Sequence, residues 1–334
     1  MQEKFIGFAN GIHQIQWFNK DVWLIVQPWG QLVVAKLGAQ VLHYQPVNQH
    51  AVFWINNMPQ TSVDANALKN NGACESGFSI DSNSVKGLIK GAEKKSGNKE
   101  KDTRGGVPLC WPWFGPHVSD DQQPNHGYAR ISPWQLQQHD LQDASSHNAI
   151  SEFVETATKL VFSPAVSISD VLSVKFEIEV SHKTLKLSLI TTNISEHKQA
   201  LTQALHSYFT VGNSEKVVIE GLKRYEYFDK LDKQRLKLQD SELTNITAID
   251  RIYKHHDSVR VIDEILQREI IVSKSGSGST VLWNPGQLHK NYGITQKQKQ
   301  FICVEAANTD YEQLILKPAE SAIIRQCITL RPLN

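Results

Sequence analysis

The chain has 334 residues, and its 35 lysines and arginines almost balance its 34 aspartates and glutamates, so the formal net charge is +1. This balance excludes a global electrostatic attraction to nucleic acid or to an acidic membrane surface. A hydrophobic fraction of 40% is typical of a globular protein with a sizeable core. No apolar run approaches the ~20 residues that a membrane-spanning helix needs.

Short apolar runs separated by glycine, proline or asparagine predict strands at residues 22–26, 32–35, 41–44 and 52–55. The composition then changes, and residues 64–103 are rich in asparagine, serine, glycine and lysine. Loops this long inside compact domains are functional or disordered. We expect a long polar surface-loop insertion here that contributes little to the core.

Strand signals continue through the second half of the chain. Between residues 172 and 180, apolar residues alternate with lysine and glutamate, which indicates a half-buried strand with a charged outer face. Without a long amphipathic helix, a repeat period or a break that would justify two domains, the chain is predicted to be all-β, a large antiparallel β-sandwich forming one domain over residues 1–334. The further predicted strands are 185–189, 217–219, 259–262, 269–272, 281–283, 301–304 and 323–330.

The four cysteines, Cys74, Cys110, Cys303 and Cys327, show neither metal-ligand spacing nor a disulfide framework. We therefore expect no metal, and we expect Cys110 and Cys303 to be buried free thiols because both lie in apolar runs. The N-terminus lacks the apolar segment of a secretory signal. The expected compartment is the reducing cytoplasm.

The densest stretch of unusual residues is residues 104–115, with the sequence RGGVPLCWPWFG. Three glycines and two prolines exclude a helix here and disfavour a regular central strand. Two tryptophans and a phenylalanine offer flat faces against which sugar rings pack, and arginine suits phosphate or carboxylate. Aromatic, proline-rich loops also plug barrel ends, so the residues alone leave both interpretations open.

Three ionisable residues lie in apolar surroundings. Glu305 follows the predicted strand 301–304, and buried glutamate is rare unless it is paired or functional, which favours function. His206 lies inside a predicted apolar strand at residues 204–209, where a satisfied core histidine is the usual outcome. Asp250 precedes an arginine, which usually means a turn or a salt bridge.

Six motifs occur in the order found in one protein family. The chain resembles the glucose-6-phosphate 1-epimerases, or hexose-6-phosphate mutarotases, within the aldose 1-epimerase group. The motifs are RGGVPLCWPWFG at 104–115, HGYAR at 126–130, LHSY at 205–208, DRIY at 250–253, LWNP at 282–285 and CVE at 303–305.

This resemblance implies a galactose-mutarotase-like sandwich acting on a hexose 6-phosphate, with glucose 6-phosphate as the expected substrate. We expect a monomer, and we expect no cofactor because the proton chemistry requires none. It implies that His206 is the general acid and Glu305 the general base. The implied substrate-binding residues are Arg104 and Arg130 at the phosphate, Asp250 at sugar hydroxyls, and Asn125 and His126. Asn125 stands where the family often has glutamine, one methylene longer.

Proton chemistry agrees with those implied roles. Anomer interconversion removes a proton from the C1 hydroxyl and adds one to the ring oxygen. Histidine titrates near ~6.5 and can donate at neutral pH, whereas glutamate titrates near ~4.3 and is ionised. Each well-placed group contributes roughly 10²–10⁴-fold.

Two other classes of protein share parts of this pattern. A non-catalytic carbohydrate-binding module would use the same tryptophans and arginines, but it needs no acid and base converging on one sugar. A glycoside hydrolase or lyase on a related sandwich would in most cases need two carboxylates across the bond.

Overall fold

The computed structural model describes residues 5–56, 63–64, 103–141, 157–294 and 298–333. In these ranges the chain forms antiparallel sheets and one short parallel pair, Phe5–Ile6 with Val63–Asp64, joined by turns and short 3₁₀ helices. The predicted all-β fold is therefore confirmed. The predicted loop insertion at 64–103 falls almost entirely outside the described residues, and so does Cys74.

The strands are numbered in chain order. In the first half they are β1 Phe5–Ile6, β2 Gly11–Trp17, β3 Lys20–Gln27, β4 Gly30–Ala35, β5 Val41–Pro46, β6 Val63–Asp64, β7 Leu109–Cys110, β8 Trp134–Leu141, β9 Thr158–Pro164, β10 Leu172–Val180, β11 Thr184–Asn193, β12 Gln199–Leu201 and β13 Gln203–Leu205. The later strands are β14 Tyr208–Thr210, β15 Val218–Glu220, β16 Glu226–Asp229, β17 Arg235–Leu238, β18 Ile249–Lys254, β19 Val259–Asp263, β20 Arg268–Ser275, β21 Ser279–Asn284, β22 Phe301–Asn308, β23 Leu314–Leu316 and β24 Ser321–Pro332. The 3₁₀ helices are Ala129–Ile131, Ser214–Lys216, Lys230–Asp232, Gly286–Tyr292, Gln298–Gln300 and Asp310–Glu312.

Two eight-stranded sheets form the sandwich. The support sheet has the order β15-β19-β20-β24-β11-β10-β9-β8, and the site sheet has the order β17-β16-β18-β21-β22-β13-β7, with β14 also paired to β22. Strands β2 to β5 form a separate four-stranded meander, and β12–β23 and β1–β6 are small two-stranded pairs. None of the helices in the described ranges is long and apolar enough to cross a membrane.

The alternation predicted at residues 172–180 is the pattern that strand β10 shows. Phe176 and Ile178 are buried, and Lys175 and Glu177 are exposed. Phe176 belongs to the same buried cluster as Leu282 and Val304 of the site sheet. The core therefore lies between the two large sheets, and it leaves the opposite face of the site sheet available for polar chemistry.

Two strand predictions are wrong in detail. Residues 52–55 form only isolated bridges, because neither neighbour offers a long strand edge: Phe53 bridges to Phe209 of the three-residue strand β14, and Ile55 bridges to Gly105 of the irregular 104–115 segment. The predicted strand at 204–209 is interrupted at His206, between β13 and β14. Both short strands still pair with β22, so the break displaces one side chain without moving the strand out of the sheet.

The 104–115 segment is non-helical, as predicted, and contains only the short strand β7. Gly106 has φ +60°, and a Cβ atom there would lie 2.2 Å from the Val41 carbonyl oxygen. Gly115 also has a positive φ, +84°, but no heavy atom lies within 4 Å of the position that a Cβ atom would take there. The two glycines therefore differ in the space available and agree in backbone conformation.

We expect Gly106→Ala to lower the free energy of unfolding by about 2–4 kcal/mol, because it adds a backbone clash to left-handed strain. Gly115→Ala is the matched control and should cost about 1 kcal/mol, from strain alone. Urea unfolding of both variants measures the difference. Equal losses would show that the close approach at Gly106 is unimportant.

Candidate active site

A cavity of about 220 Å³ lies on the site sheet. All seven site residues predicted from the sequence line it, although they come from distant parts of the chain. They are Arg104, Asn125, His126, Arg130, His206, Asp250 and Glu305.

Strand β22 and the break before β14 position the two ionisable residues at the centre of the cavity. Glu305 lies in the middle of β22, not after its end as the sequence suggested. The break at His206 is held by a hydrogen bond from its backbone N–H to the Pro108 carbonyl, 3.1 Å long. The His206 Nε2 and Glu305 Oε1 atoms are 3.4 Å apart.

Both members of this pair are buried. The side chain of Glu305 is 1% exposed and that of His206 is 13% exposed. The His206 ring stacks on Tyr208, with 4.7 Å between ring centroids. Glu305 Oε2 has no hydrogen-bond partner among the described residues, so a buried carboxyl oxygen is free to bind a hydroxyl of a ligand.

Burial changes the protonation of both groups. It lowers the pKa of His206 well below its usual value, and the nearby His126 and Arg104 add to the effect. It raises the pKa of Glu305 well above its usual value, to which Asp250 contributes while Lys230 opposes. Each shift favours the neutral form. The expectation of an ordinary histidine that donates with little adjustment is therefore wrong, because desolvation was not visible in the sequence.

The aromatic residues of the 104–115 segment do not all face the cavity. Trp111 is fully buried and donates its indole N–H to Thr191 at 2.9 Å, so it packs between the sheets. Trp113 donates to the Pro124 carbonyl at 3.0 Å and makes an edge contact with Tyr128. Only Phe114 of the three lines the cavity. The segment therefore contributes Phe114 to the cavity wall and Trp111 to the core.

Other aromatic residues supply the remaining apolar walls. Trp283, Tyr208 and Tyr292 line the cavity. The Arg104 guanidinium lies 6.0 Å from the Trp283 ring centroid and 5.7 Å from that of Tyr292. Among the described residues no carboxylate forms an ion pair with Arg104. Its charge is therefore held over aromatic faces, where an anionic ligand can meet it.

His126 and Arg130 are held by the turn between Phe114 and the helix Ala129–Ile131. The Gly115 backbone N–H donates to His126 Nδ1 at 3.1 Å. Burial and the nearby Arg130 lower the pKa of His126 to about 3, so its ring is neutral. With Nδ1 accepting, the ring proton lies on Nε2 and is available to a ligand. Arg130 Nε donates to the Asn125 backbone carbonyl at 3.1 Å.

Sequence reasoning missed Lys230, which also lines the cavity. Its Nζ atom lies 3.5 Å from Asp250 Oδ1, so Asp250 takes part in a salt bridge and lies within strand β18. Lys230 lies in a run of charged residues, KLDK at 230–233, that resembles any solvated turn. Only the pairing of β16 with β18 brings it to the site.

One group of side chains has the composition of a metal site. His206, Cys303 and Glu305 each offer a ligand atom, and these atoms lie within 4.8 Å of one another. Cys110 and Cys303 are buried and form no disulfide with the described residues, as predicted. Three cationic side chains, Arg104, Arg130 and Lys230, line the same cavity. Their charge disfavours a divalent cation and favours an anion.

Comparison with known proteins decides the family. The profile described as aldose 1-epimerase matches residues 101–326. The chain belongs to the aldose 1-epimerase family. As a member it is an isomerase that interconverts sugar anomers, and neither the carbohydrate-binding module nor the glycoside hydrolase is favoured.

Individual relatives of this epimerase cover most of its length. A protein of Escherichia coli K12, named "Putative glucose-6-phosphate 1-epimerase", is 30% identical over 302 residues, which are 89% of this chain and 86% of that protein. A solved structure from Salmonella typhimurium, described as a "putative mutarotase", has a TM-score of 0.72 at 25% identity and covers 96% of this chain and 94% of that chain. Galactose 1-epimerase from Lactobacillus acidophilus NCFM shares the fold, with a TM-score of 0.62 at 12% identity over 98% of this chain and 100% of that one.

Proposed function

We propose that this epimerase is a glucose-6-phosphate 1-epimerase, which interconverts the α and β anomers of a hexose 6-phosphate, foremost glucose 6-phosphate. One observation carries the proposal. The pair His206 and Glu305, 3.4 Å apart, lies in a cavity that Arg104 and Arg130 also line. The pair supplies proton transfer for a sugar ring, and the arginines suit a phosphate group with a charge of about −1.5 to −2. The name of the Escherichia coli relative supports the same substrate.

In the proposed reaction, Glu305 accepts the proton of the C1 hydroxyl while His206 donates a proton to the ring oxygen. The bond between C1 and the ring oxygen breaks, and the C1 carbonyl forms. After rotation about the C1–C2 bond, the two residues exchange roles and the ring closes on the other face of the aldehyde. The two proton transfers balance, so the pair returns to its starting state with no other reactant.

The pair needs one proton in total for this cycle. Burial favours its neutral arrangement, with the proton on Glu305, and the 3.4 Å separation allows transfer to His206 after a small approach. A sugar hydroxyl that donates to Glu305 stabilises the carboxylate, and a phosphate dianion at the arginines stabilises the imidazolium. Substrate binding therefore favours the charged arrangement from which the reaction starts.

The remaining cavity residues would bind and orient the sugar. Asp250 would accept hydrogen bonds from ring hydroxyls, and His126 Nε2 would donate to a sugar or phosphate oxygen. Asn125 lines the cavity, and its side chain is one methylene shorter than the glutamine often found in the family, so it would reach less far toward the ligand. Trp283 and Phe114 would pack against apolar faces of the ring.

The proposal is tested by exchange NMR between the anomeric protons of α- and β-glucose 6-phosphate, with free glucose as the comparison. We expect the enzyme to increase the anomer exchange rate of glucose 6-phosphate, relative to the rate without enzyme, more than that of glucose at equal enzyme concentration. Equal acceleration of both sugars would contradict the phosphate specificity. Acceleration of neither would contradict the whole proposal.

A further inference from the structure

The Lys230–Asp250 salt bridge lies in the cavity wall. Lys230 is 42% exposed and Asp250 is 14% exposed, so the pair reaches from solvent into the cavity. We propose that Lys230 is a positioning residue of this site, whose ammonium group fixes the Asp250 carboxylate and balances the charge of Asp250 and Glu305. This inference rests on the proposed function, because it assigns to Lys230 a part in positioning the residues of that reaction.

Backbone pairing places Lys230 beside Asp250. In the antiparallel pair of β16 and β18, Asp229 lies opposite Arg251. The residue after Asp229 is Lys230, and the residue before Arg251 is Asp250, so the register extends to bring these two together. The contact is therefore built into the sheet and does not depend on a chance meeting of two long side chains.

The turn that carries Lys230 is well defined. The Asp229 carbonyl accepts a hydrogen bond from the Gln234 backbone N–H at 2.8 Å. The Asp229 carboxylate accepts one from the Leu231 N–H at 3.2 Å. Lys233 and Gln234 both have positive φ, 51° and 57°, which closes the turn tightly. Lys230 thus starts from a rigid backbone, and its reach toward Asp250 is constrained.

The ionisable groups around the His206–Glu305 pair form two sets, one beside each residue. His206, Cys303, Asp250 and Lys230 surround the Glu305 carboxyl group. Arg104, Arg130 and His126 act on His206. Lys230 acts on both carboxyl groups, lowering the pKa of Asp250 against its burial and the pKa of Glu305 against burial and Asp250. Without Lys230 both carboxyl groups would keep their protons to higher pH.

Loss of the Lys230 charge should change the pH dependence of activity in one direction. Removal of a positive charge raises the pKa values of a coupled acid and base pair, so both limbs of the pH profile move to higher pH. The phosphate of the substrate titrates near ~6, but it does so equally for every variant. Any difference between variants in the profile of kcat/KM therefore belongs to the enzyme.

The experiment is the pH profile of kcat/KM on glucose 6-phosphate for the wild type, Lys230→Met and Lys230→Arg. For Lys230→Met we expect both limbs at higher pH and a maximum lower by about twofold to fivefold, the size expected for loss of a partly exposed ion pair. For Lys230→Arg, which keeps the charge, we expect a profile close to that of the wild type.

Lys237→Met is the matched control. Lys237 belongs to the same hairpin and makes salt bridges to Asp229 at 3.0 Å and Asp232 at 2.9 Å, but it does not line the cavity. We expect its limbs to stay where the wild type has them. Three results would each overturn the inference. The limbs of the pH profile could stay unmoved in Lys230→Met, they could move equally in Lys237→Met, or Lys230→Arg could behave like Lys230→Met.

Two further outcomes keep this inference separate from the proposed function. A wild-type enzyme that does not accelerate anomer exchange of glucose 6-phosphate overturns the proposed function, and the inference with it. An active wild type together with a Lys230→Met variant that loses activity only on glucose 6-phosphate, with an unmoved profile, overturns the inference alone. That result would mean that Lys230 binds phosphate directly.

Discussion

Glu305→Gln is expected to lower kcat on glucose 6-phosphate by roughly 10²-fold or more. Glutamine has the size of glutamic acid, but its amide can neither accept the C1 proton nor return it. Because burial favours the neutral form of Glu305, a neutral amide should also fit the folded protein without loss of stability. His206→Ala should cause a loss of the same order, because the proposed cycle passes protons through both residues, which lie 3.4 Å apart. Exchange NMR gives kcat, and thermal unfolding gives the melting temperature.

The double variant separates a catalytic pair from two independent residues. If His206 and Glu305 act as a unit, the double variant should be little worse than either single variant. Cys110→Ser is a suitable control, since Cys110 lines the same cavity and has no assigned proton role. Near-normal turnover in folded Glu305→Gln protein would contradict the role of Glu305 as the base.

Loss of either cavity arginine should reduce kcat/KM on glucose 6-phosphate by about tenfold to a few hundredfold. A charge-assisted hydrogen bond contributes ~1.5–3 kcal/mol, and arginine can make two of them to one phosphate. Arg104→Ala and Arg130→Ala should hardly change the weaker activity on free glucose, which has no phosphate. Lysine at either position should restore part of the loss, since it returns the charge without the planar fork. The measurement is kcat/KM on both sugars.

A purely structural role of Arg104 and Arg130 would give a different result. Arg104 packs over Trp283 and Tyr292, and Arg130 holds the Asn125 carbonyl, so each could stabilise the cavity wall. Loss of that contact would lower the melting temperature and reduce activity on both sugars alike. Arg331, exposed on β24 of the support sheet, provides the control substitution. Equal losses on glucose and glucose 6-phosphate would end the phosphate assignment.

The sequence was sufficient for features that depend on local pattern. Alternation at residues 172–180 predicted a strand and its buried face, because side chains in a strand point to opposite sides at every second residue. The glycines and prolines of residues 104–115 predicted an irregular segment, since their backbone restrictions are intrinsic. The resemblance to the family implied seven site residues, and all seven line one cavity, together with Lys230, which the resemblance did not imply.

Features that depend on distant neighbours were decided by the folded chain. Trp111 and Trp113 looked like sugar platforms, yet their indole groups bond to Thr191 and Pro124, which the sequence cannot place. Lys230 looked like a solvated surface charge until the register of β16 and β18 set it beside Asp250. The protonation of His206 and Glu305 depends on desolvation. Desolvation arises only when the sheets assemble around the two side chains, so the sequence does not reveal it.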